Sequence, residues 1–115
     1  MALHYNLDKV YELSDNDANF AHQIVHLFIN EVPKEVKTIK NALKDKDYNA
    51  VYNSAHKIKP SLDLLGMDLS YDETILIMNW AKNNGKKKEI KEVLKSLKNR
   101  LELAIKEIKK DYHLA

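Results

Sequence analysis

The stretch 90-IKEVLKSLKNRLELAIKEIKKDY-112 decides the fold class, because its apolar residues recur every three or four positions. Side chains at this spacing lie along one stripe of an α-helix, and the stripe is buried against other elements. It consists of Ile90, Val93, Leu94, Leu97, Leu101, Ala104, Ile105, Ile108 and Tyr112. The sequence therefore predicts one long amphipathic helix of about six turns in this region.

The rest of the chain shows the same helical periodicity. Only two glycines and two prolines occur, and no stretch alternates polar with apolar residues long enough to indicate a strand. Four further helices are predicted. The first runs from Leu7 to Leu13, and the second starts near Asp17 and is kinked or restarted at Pro33. The third is capped by Asp47 and ends near Gly66, and the fourth runs from about Leu69 to Lys82. The predicted fold is all-α, an antiparallel four-helix bundle with a short extra N-terminal helix.

Three sets of apolar residues are predicted to form the core of this bundle. In the second helix they are Phe20, Ile24, Leu27 and Phe28, followed after the proline by Val36, Ile39 and Leu43. In the third helix they are Val51, Ala55, Ile58, Leu62 and Leu65. Trp80, in the apolar run of the fourth helix, is also expected in the core.

Length and composition narrow the class of protein. A chain of 115 residues has the size of one domain, so residues 1–115 are expected to form a single unit. The absence of cysteine excludes disulfides and thiolate metal sites, and it favours a cytoplasmic location. The N-terminus does not resemble a signal peptide, and no apolar run approaches the roughly 20 residues that span a bilayer, so no membrane insertion is expected.

Charge is distributed unevenly along the chain. The net charge is +2, but residues 1–81 carry −4 and residues 82–115 carry +6. The lysines of the last helix alternate with apolar residues and not with aromatic stacking positions, which is typical of a solvated helix face. Nucleic acid is therefore not the expected partner, although an anionic partner stays open.

The third helix carries polar residues on one outward flank. At 100° per residue, His56 lies about 140° from the core direction, Asp63 about 120°, Tyr52 about 100° and Lys59 about 80°. Pro60 points straight outward, and it removes the amide that would bond the His56 carbonyl, so the helix is expected to loosen there.

An exposed imidazole beside an ammonium group suits phosphoryl chemistry. A neutral imidazole is a nucleophile near pH 7, and the cation of Lys59, one turn on from His56, stabilises the charge of a phosphoryl group. The same spacing also fits an ordinary solvated histidine, and it does not by itself decide between the two.

The run 55-AHKIKPSLDLLG-66 resembles the histidine-containing phosphotransfer (Hpt) domain, whose typical pattern is Ala-His-x-Leu-Lys-Gly with a further glycine ten residues after the histidine. Ala55, His56, Lys59 and Gly66 match, Ile58 nearly matches the leucine, and 27-LFINEVP-33 is similar to another segment of that family. The resemblance spans essentially the whole chain and implies a four-helix bundle with an exposed histidine. The family usually has glycine where this chain has Pro60.

The resemblance implies a phosphocarrier without kinase activity of its own. His56 would accept a phosphoryl group from a receiver-domain aspartate and pass it to another receiver, with Lys59 stabilising it. No cofactor is expected, with Mg²⁺ bound by the receiver only. The implied partners are receiver domains and a histidine kinase or hybrid kinase, and a monomer is expected.

The residues around His56 receive supporting roles. Ser61 could hydrogen-bond a phosphoryl oxygen, or else satisfy a backbone group freed by Pro60. Tyr52, Asp63 and Leu64 are candidates for receiver docking, although Asp63 could instead pair with Lys59 at i+4.

The sequence contains features of two alternative functions. His22 and His26 have the i, i+4 spacing of a metal pair, but two ligands are too few and Gln23 replaces the glutamate of the zinc-protease motif, so no metal site is expected. The second is a helical interaction module without phosphotransfer, which either docks receivers or binds anions and nucleic acid through the basic last helix.

Overall fold

The structure, a computed structural model, describes residues 3–114. The helices are α1 (Asp8–Leu13), α2 (Ala18–Lys44), α3 (Tyr48–Leu64), α4 (Asp68–Lys82) and α5 (Lys87–Asp111). The prediction of an all-α bundle with a short N-terminal helix is confirmed. Within residues 3–114, no helix is long and apolar enough to cross a membrane.

Aspartate side chains begin two of the long helices. The carboxylate of Asp17 accepts hydrogen bonds from the amides of Asn19 and Phe20, and that of Asp47 accepts one from Ala50. These bonds satisfy amides that have no partner inside the helix. Both caps are where the sequence predicted them. Local interactions therefore set the start of α3 and the direction in which each of its side chains points around the helix axis.

The four long helices pack in a ring. α3 packs against α2 and α4, and α5 packs against α4 and α2, which places α3 and α5 on the diagonal. At one end of the bundle, the Lys87 ammonium donates to the Lys44 carbonyl at 2.8 Å, and the Tyr48 hydroxyl donates to the Gly85 carbonyl at 2.9 Å. The two turns at that end are therefore joined.

The N-terminal segment closes the opposite end of the bundle. The Asn6 amide donates to the Leu65 carbonyl at 2.7 Å, and the Tyr5 hydroxyl donates to Asp111 at 2.8 Å. Burial, together with this hydrogen bond to Asp111, raises the pKa of Tyr5. These contacts hold the segment before α1 across the ends of α3 and α5.

The predicted core of α2 was wrong at two positions of its first half, whereas Phe28 is buried and Ile24 packs against the core as predicted. Phe20 and Leu27 are 37% and 57% exposed. The buried residues of α2 are Ala21, Val25, Phe28, Val32, Val36, Ile39 and Ala42. α2 also does not restart at Pro33, which lies exposed inside one continuous helix. The buried residues therefore follow one continuous helical spacing on both sides of the proline. With this spacing, Ala21 and Val25 lie inside, and the larger Phe20 and Leu27 lie outside.

The predicted core positions of α3 and Trp80 of α4 are confirmed, and six of the nine predicted residues of α5 are buried, while Val93, Ile105 and Tyr112 are half-buried against the core. All five residues of the α3 stripe are buried, and Trp80 is 8% exposed. The Trp80 indole donates to the Lys86 carbonyl at 2.8 Å, and a Cβ at Gly85 would lie 2.2 Å from the same ring. Gly85 is therefore required where the chain turns from α4 into α5.

Candidate functional site

His56 lies at the midpoint of α3, and its side chain is exposed. The residue before it, Ala55, and the residue two positions after it, Ile58, are both buried. Because successive helical residues are rotated by about 100°, burial of this stripe turns His56 toward solvent. The core of α3 thus sets the outward direction of the imidazole.

Tyr52 lies one turn before His56 and packs against its ring. The two ring centroids are 6.1 Å apart, and the ring planes are inclined by only 18°. Tyr52 is half-buried, so its ring is fixed more firmly than that of His56. Aromatic rings interact favourably at this separation. Tyr52 therefore supports the imidazole from one side and leaves its other side open to a partner.

Two lysines flank His56, and the structure distinguishes them. Lys57 approaches Glu35 of α2 at 4.0 Å. Lys59 is half-buried, lies on the same flank of α3 as His56, and forms no ion pair among the described residues. Lys59 is consequently the cation on this flank that remains available to an incoming anion.

Asp63 does not pair with Lys59, which excludes the alternative of an i+4 ion pair within α3. The Asp63 carboxylate lies 2.8 Å from the ammonium of Lys9 in α1. The hydrogen bond and the charge of Asp63 raise the pKa of Lys9. This contact links α1 to the end of α3 two turns from His56, and it leaves the charge of Lys59 without a carboxylate partner there.

Pro60 and Gly66 differ in what they do to α3. Pro60 is exposed, and α3 continues through it, so the expected loosening does not break the helix. Gly66 has φ +64°, and a Cβ there would lie 2.9 Å from the Asn6 Cβ. Gly66 therefore ends α3 and makes room for the N-terminal segment, which is a structural role. Ser61 is half-buried.

An exposed leucine beside the site was missed by the sequence reasoning. The Lys57–Glu35 pair sets the antiparallel register of α3 and α2. Leu64, seven residues further along α3, is half-buried, and counting back seven residues from Glu35 along the antiparallel α2 puts it near the level of residue 28. The neighbouring Leu27 is 57% exposed, although it was predicted in the core. The sequence feature that could have revealed the exposure of Leu27 is a second apolar stripe in α2. This stripe is shifted by one residue from the stripe that was predicted to be buried.

The site is an exposed face of α3. The two grooves described in the structure lie elsewhere, and neither is lined by His56. The larger, of about 380 Å³, lies between the N-terminal segment and the start of α4. An exposed histidine on a convex helix face fits contact with another protein better than enclosure of a small molecule.

His22 and His26 form a close pair away from this site. Their Nε2 atoms are 2.9 Å apart, and the His22 ring meets Tyr112 edge-on at 5.5 Å. Within residues 3–114, no three His, Cys, Asp or Glu side chains come together as a metal site would require.

Comparison with known families agrees with this geometry. A scan against family models matched residues 23–110 to the Hpt domain, a range that includes α3 and His56. The chain therefore belongs to the Hpt-domain family. A search of curated proteins found no match, and neither did a search of solved structures.

Membership of this family defines the general role of the chain. Hpt domains are phosphocarriers of two-component signalling and not kinases, and their partners are receiver domains. The chain therefore has a phosphotransfer role in such a system.

Proposed function

We propose that this chain accepts a phosphoryl group on His56 from the aspartyl phosphate of one receiver domain and passes it to the aspartate of another. The observation that supports this most strongly is the exposed imidazole at the midpoint of α3, with Lys59 on the same flank, in a chain of the Hpt family. A histidine kinase or hybrid kinase would supply the first receiver. A monomer in the cytoplasm is part of the same proposal.

The proposed transfer forms one bond and breaks one bond. A neutral nitrogen of His56 attacks the phosphorus, the new P–N bond forms, and the P–O bond to the aspartate breaks, so the receiver recovers its carboxylate. The reverse reaction on a second receiver regenerates the free imidazole. Mg²⁺ would be held by the receiver, so the carrier needs no cofactor of its own for this step.

Lys59 is proposed to stabilise the phosphoryl group. Its ammonium lies one turn along α3 from His56, within the reach of a long side chain. A cation near the transferred oxygens stabilises their charge both during transfer and while the group resides on the histidine. The absence of a carboxylate partner for Lys59 among the described residues favours this role.

The receiver is proposed to dock around His56 on α3 and the adjacent side of α2. Tyr52, Asp63 and Leu64 are the residues of α3 in this surface, and the exposed Leu27 extends it onto α2. An apolar contact beside a reactive polar centre gives affinity without interfering with the chemistry. Asp63 would contribute while it is held by Lys9.

A second candidate is a domain that docks receivers without accepting phosphate. Pro60 favours it, because its exposed ring lies one turn from His56, where the family usually has glycine. The two candidates share the docking surface and differ only in the chemistry at His56.

The deciding experiment is phosphotransfer from a pre-phosphorylated receiver to three proteins: the wild type, His56→Gln and the control His22→Gln. Acid-labile, base-stable label on the wild type and the control, and none on His56→Gln, is the expected result. Docking without label across a broad panel of receivers would support the docking-only candidate. Label retained by His56→Gln would place the phosphoryl acceptor elsewhere.

A further inference from the structure

The two ends of the bundle carry opposite charge. When each long helix is divided at its midpoint, one half of the bundle consists of residues 32–55 and 76–98. This half holds twelve lysines against five Asp+Glu, a net charge of +7, so the remainder of the chain carries −5. The unevenness along the sequence thus becomes a separation of charge along a molecule 43 Å long.

The lysines of the basic half are concentrated on the side formed by α2 and α5. On a helical wheel, Lys37, Lys40 and Lys44 of α2 lie on the flank toward α5, whereas Glu35 lies on the flank toward α3, where it meets Lys57. On α5, Arg100 marks the opposite flank by pairing with Glu73 of α4 at 3.1 Å. The residues that share the remaining surface form the α2–α5 lysine face: Lys37, Lys40, Lys44, Lys88, Lys91, Lys95 and Lys98.

The charges of this face are not neutralised within the protein. All seven lysines are exposed, and none forms an ion pair with any residue between 3 and 114. Glu92 lies at the edge of the face, and Glu102 lies one turn beyond it on α5. Seven like charges on one side raise the local potential and attract a polyanion.

The α2–α5 lysine face and His56 lie on opposite sides of the bundle. Lys57 marks the flank of α3 toward α2, and His56, about 100° further round the helix, points outward from α3 into solvent. Because α5 is diagonal to α3, a surface bound by α2 and α5 leaves the His56 side free. Binding there would not obstruct a receiver.

We propose that the α2–α5 lysine face adsorbs the protein to an anionic lipid surface, such as a bilayer that contains phosphatidylglycerol. The lysines span about 10 Å along α2 and about 15 Å along α5, on helices about 8–10 Å apart. All seven can therefore reach one plane together. Clusters of lysine bind anionic bilayers in this way without inserting into them.

The composition of the face favours lipid over nucleic acid. The segments 32–44 and 87–98 contain no aromatic residue on which a base could stack. The face has no arginine for bidentate phosphate contacts, since Arg100 is turned toward α4. Point charges on a flat side match a uniformly charged plane better than a grooved duplex.

The test is cosedimentation with vesicles of phosphatidylcholine, with and without phosphatidylglycerol. The double variant Lys91→Gln/Lys95→Gln is compared with the control Lys34→Gln/Lys82→Gln, which removes the same charge from exposed positions outside the face. Wild type is expected to bind only the anionic vesicles, and high salt is expected to release it because screening shortens the reach of the charges. The first variant should lose about tenfold or more in partition coefficient, and the control less than about threefold.

Three results would overturn the proposal. These are no binding of wild type to anionic vesicles at low salt, equal losses in the two variants, and tighter binding to duplex DNA at equal phosphate concentration. The last would assign the face to nucleic acid. Phosphotransfer to the Lys91→Gln/Lys95→Gln variant, measured alongside, is expected to match wild type and reports on His56 separately.

Discussion

The two sides of α3 differ in what surrounds their side chains, which is the core of the bundle on one side and mainly solvent on the other. The inner side, represented by Leu62, is fully buried in the common core of the bundle. The outer side, represented by His56, has Tyr52 as its only aromatic neighbour among the described residues, and otherwise faces solvent. Substitutions on the inner side should therefore change stability, and those on the outer side should change function at nearly constant stability.

The largest expected effect is on the inner side. Leu62→Ala is expected to lower the free energy of unfolding by about 2–5 kcal/mol, because it removes buried methyl groups and leaves a cavity. Urea denaturation measures this. His56→Gln is the matched outer substitution and should stay within about 0.5 kcal/mol of wild type. Equal losses in the two variants would remove the distinction between the sides.

Lys59→Ala is expected to slow phosphotransfer by about 10- to 100-fold, because the charge of the phosphoryl group loses its nearest cation. Lys57→Ala is the matched control, since Lys57 is turned toward Glu35. Single-turnover transfer from a phosphorylated receiver gives both rates. A larger loss in the Lys57 variant would mean that the wrong lysine has been assigned.

Pro60→Ala is expected to stabilise the protein by about 1–2 kcal/mol, because alanine restores the amide that bonds the His56 carbonyl. Thermal and urea unfolding measure the change. Pro33→Ala, at the other exposed proline inside a helix, should also stabilise but should leave transfer unchanged. A change in transfer rate with Pro60→Ala alone would show that the proline acts on the imidazole. A destabilised Pro60→Ala variant would contradict the expectation.

The smallest expected effect concerns docking. Leu64→Ala and Leu27→Ala are each expected to weaken receiver binding about 2- to 5-fold, because each removes apolar contact area at the edge of the interface. Leu103→Ala, 49% exposed on α5, is the control and should leave binding unchanged. Isothermal titration with an unphosphorylated receiver measures all three. Weaker binding of the Leu103 variant alone would place the docking surface on α5.

The buried residues of α3 could be predicted from the sequence, and those of α2 only in part. One physical cause explains both outcomes. In α3 only one apolar stripe is present, so periodicity alone defines the inside, and the exposure of His56 follows from it. In α2 two stripes compete, one through Phe20 and Leu27 and the other through Ala21 and Val25. Packing against α1, α3 and α5 selected the second, and that selection depends on distant parts of the chain.

Partners of charged groups were harder to predict than helices. Asp63 was weighed as a partner of Lys59 four residues away, but it bonds Lys9, which is 54 residues away in sequence. A helical wheel contains only local neighbours, so it cannot show a contact made by another helix. The exposed site is affected most, because its geometry depends on such contacts.

The sequence by itself determined the five helices, the aspartate caps of α2 and α3, the buried stripes of α3 and α5, and the motif around His56. These depend on spacing and residue type over a few turns, where local physics is sufficient. Only the tertiary structure decided which stripe of α2 is buried, which carboxylate meets which lysine, and on which side of the bundle the lysines of α2 and α5 gather. Those features depend on how helices distant in sequence are brought side by side, and that is set by the packing of the whole core.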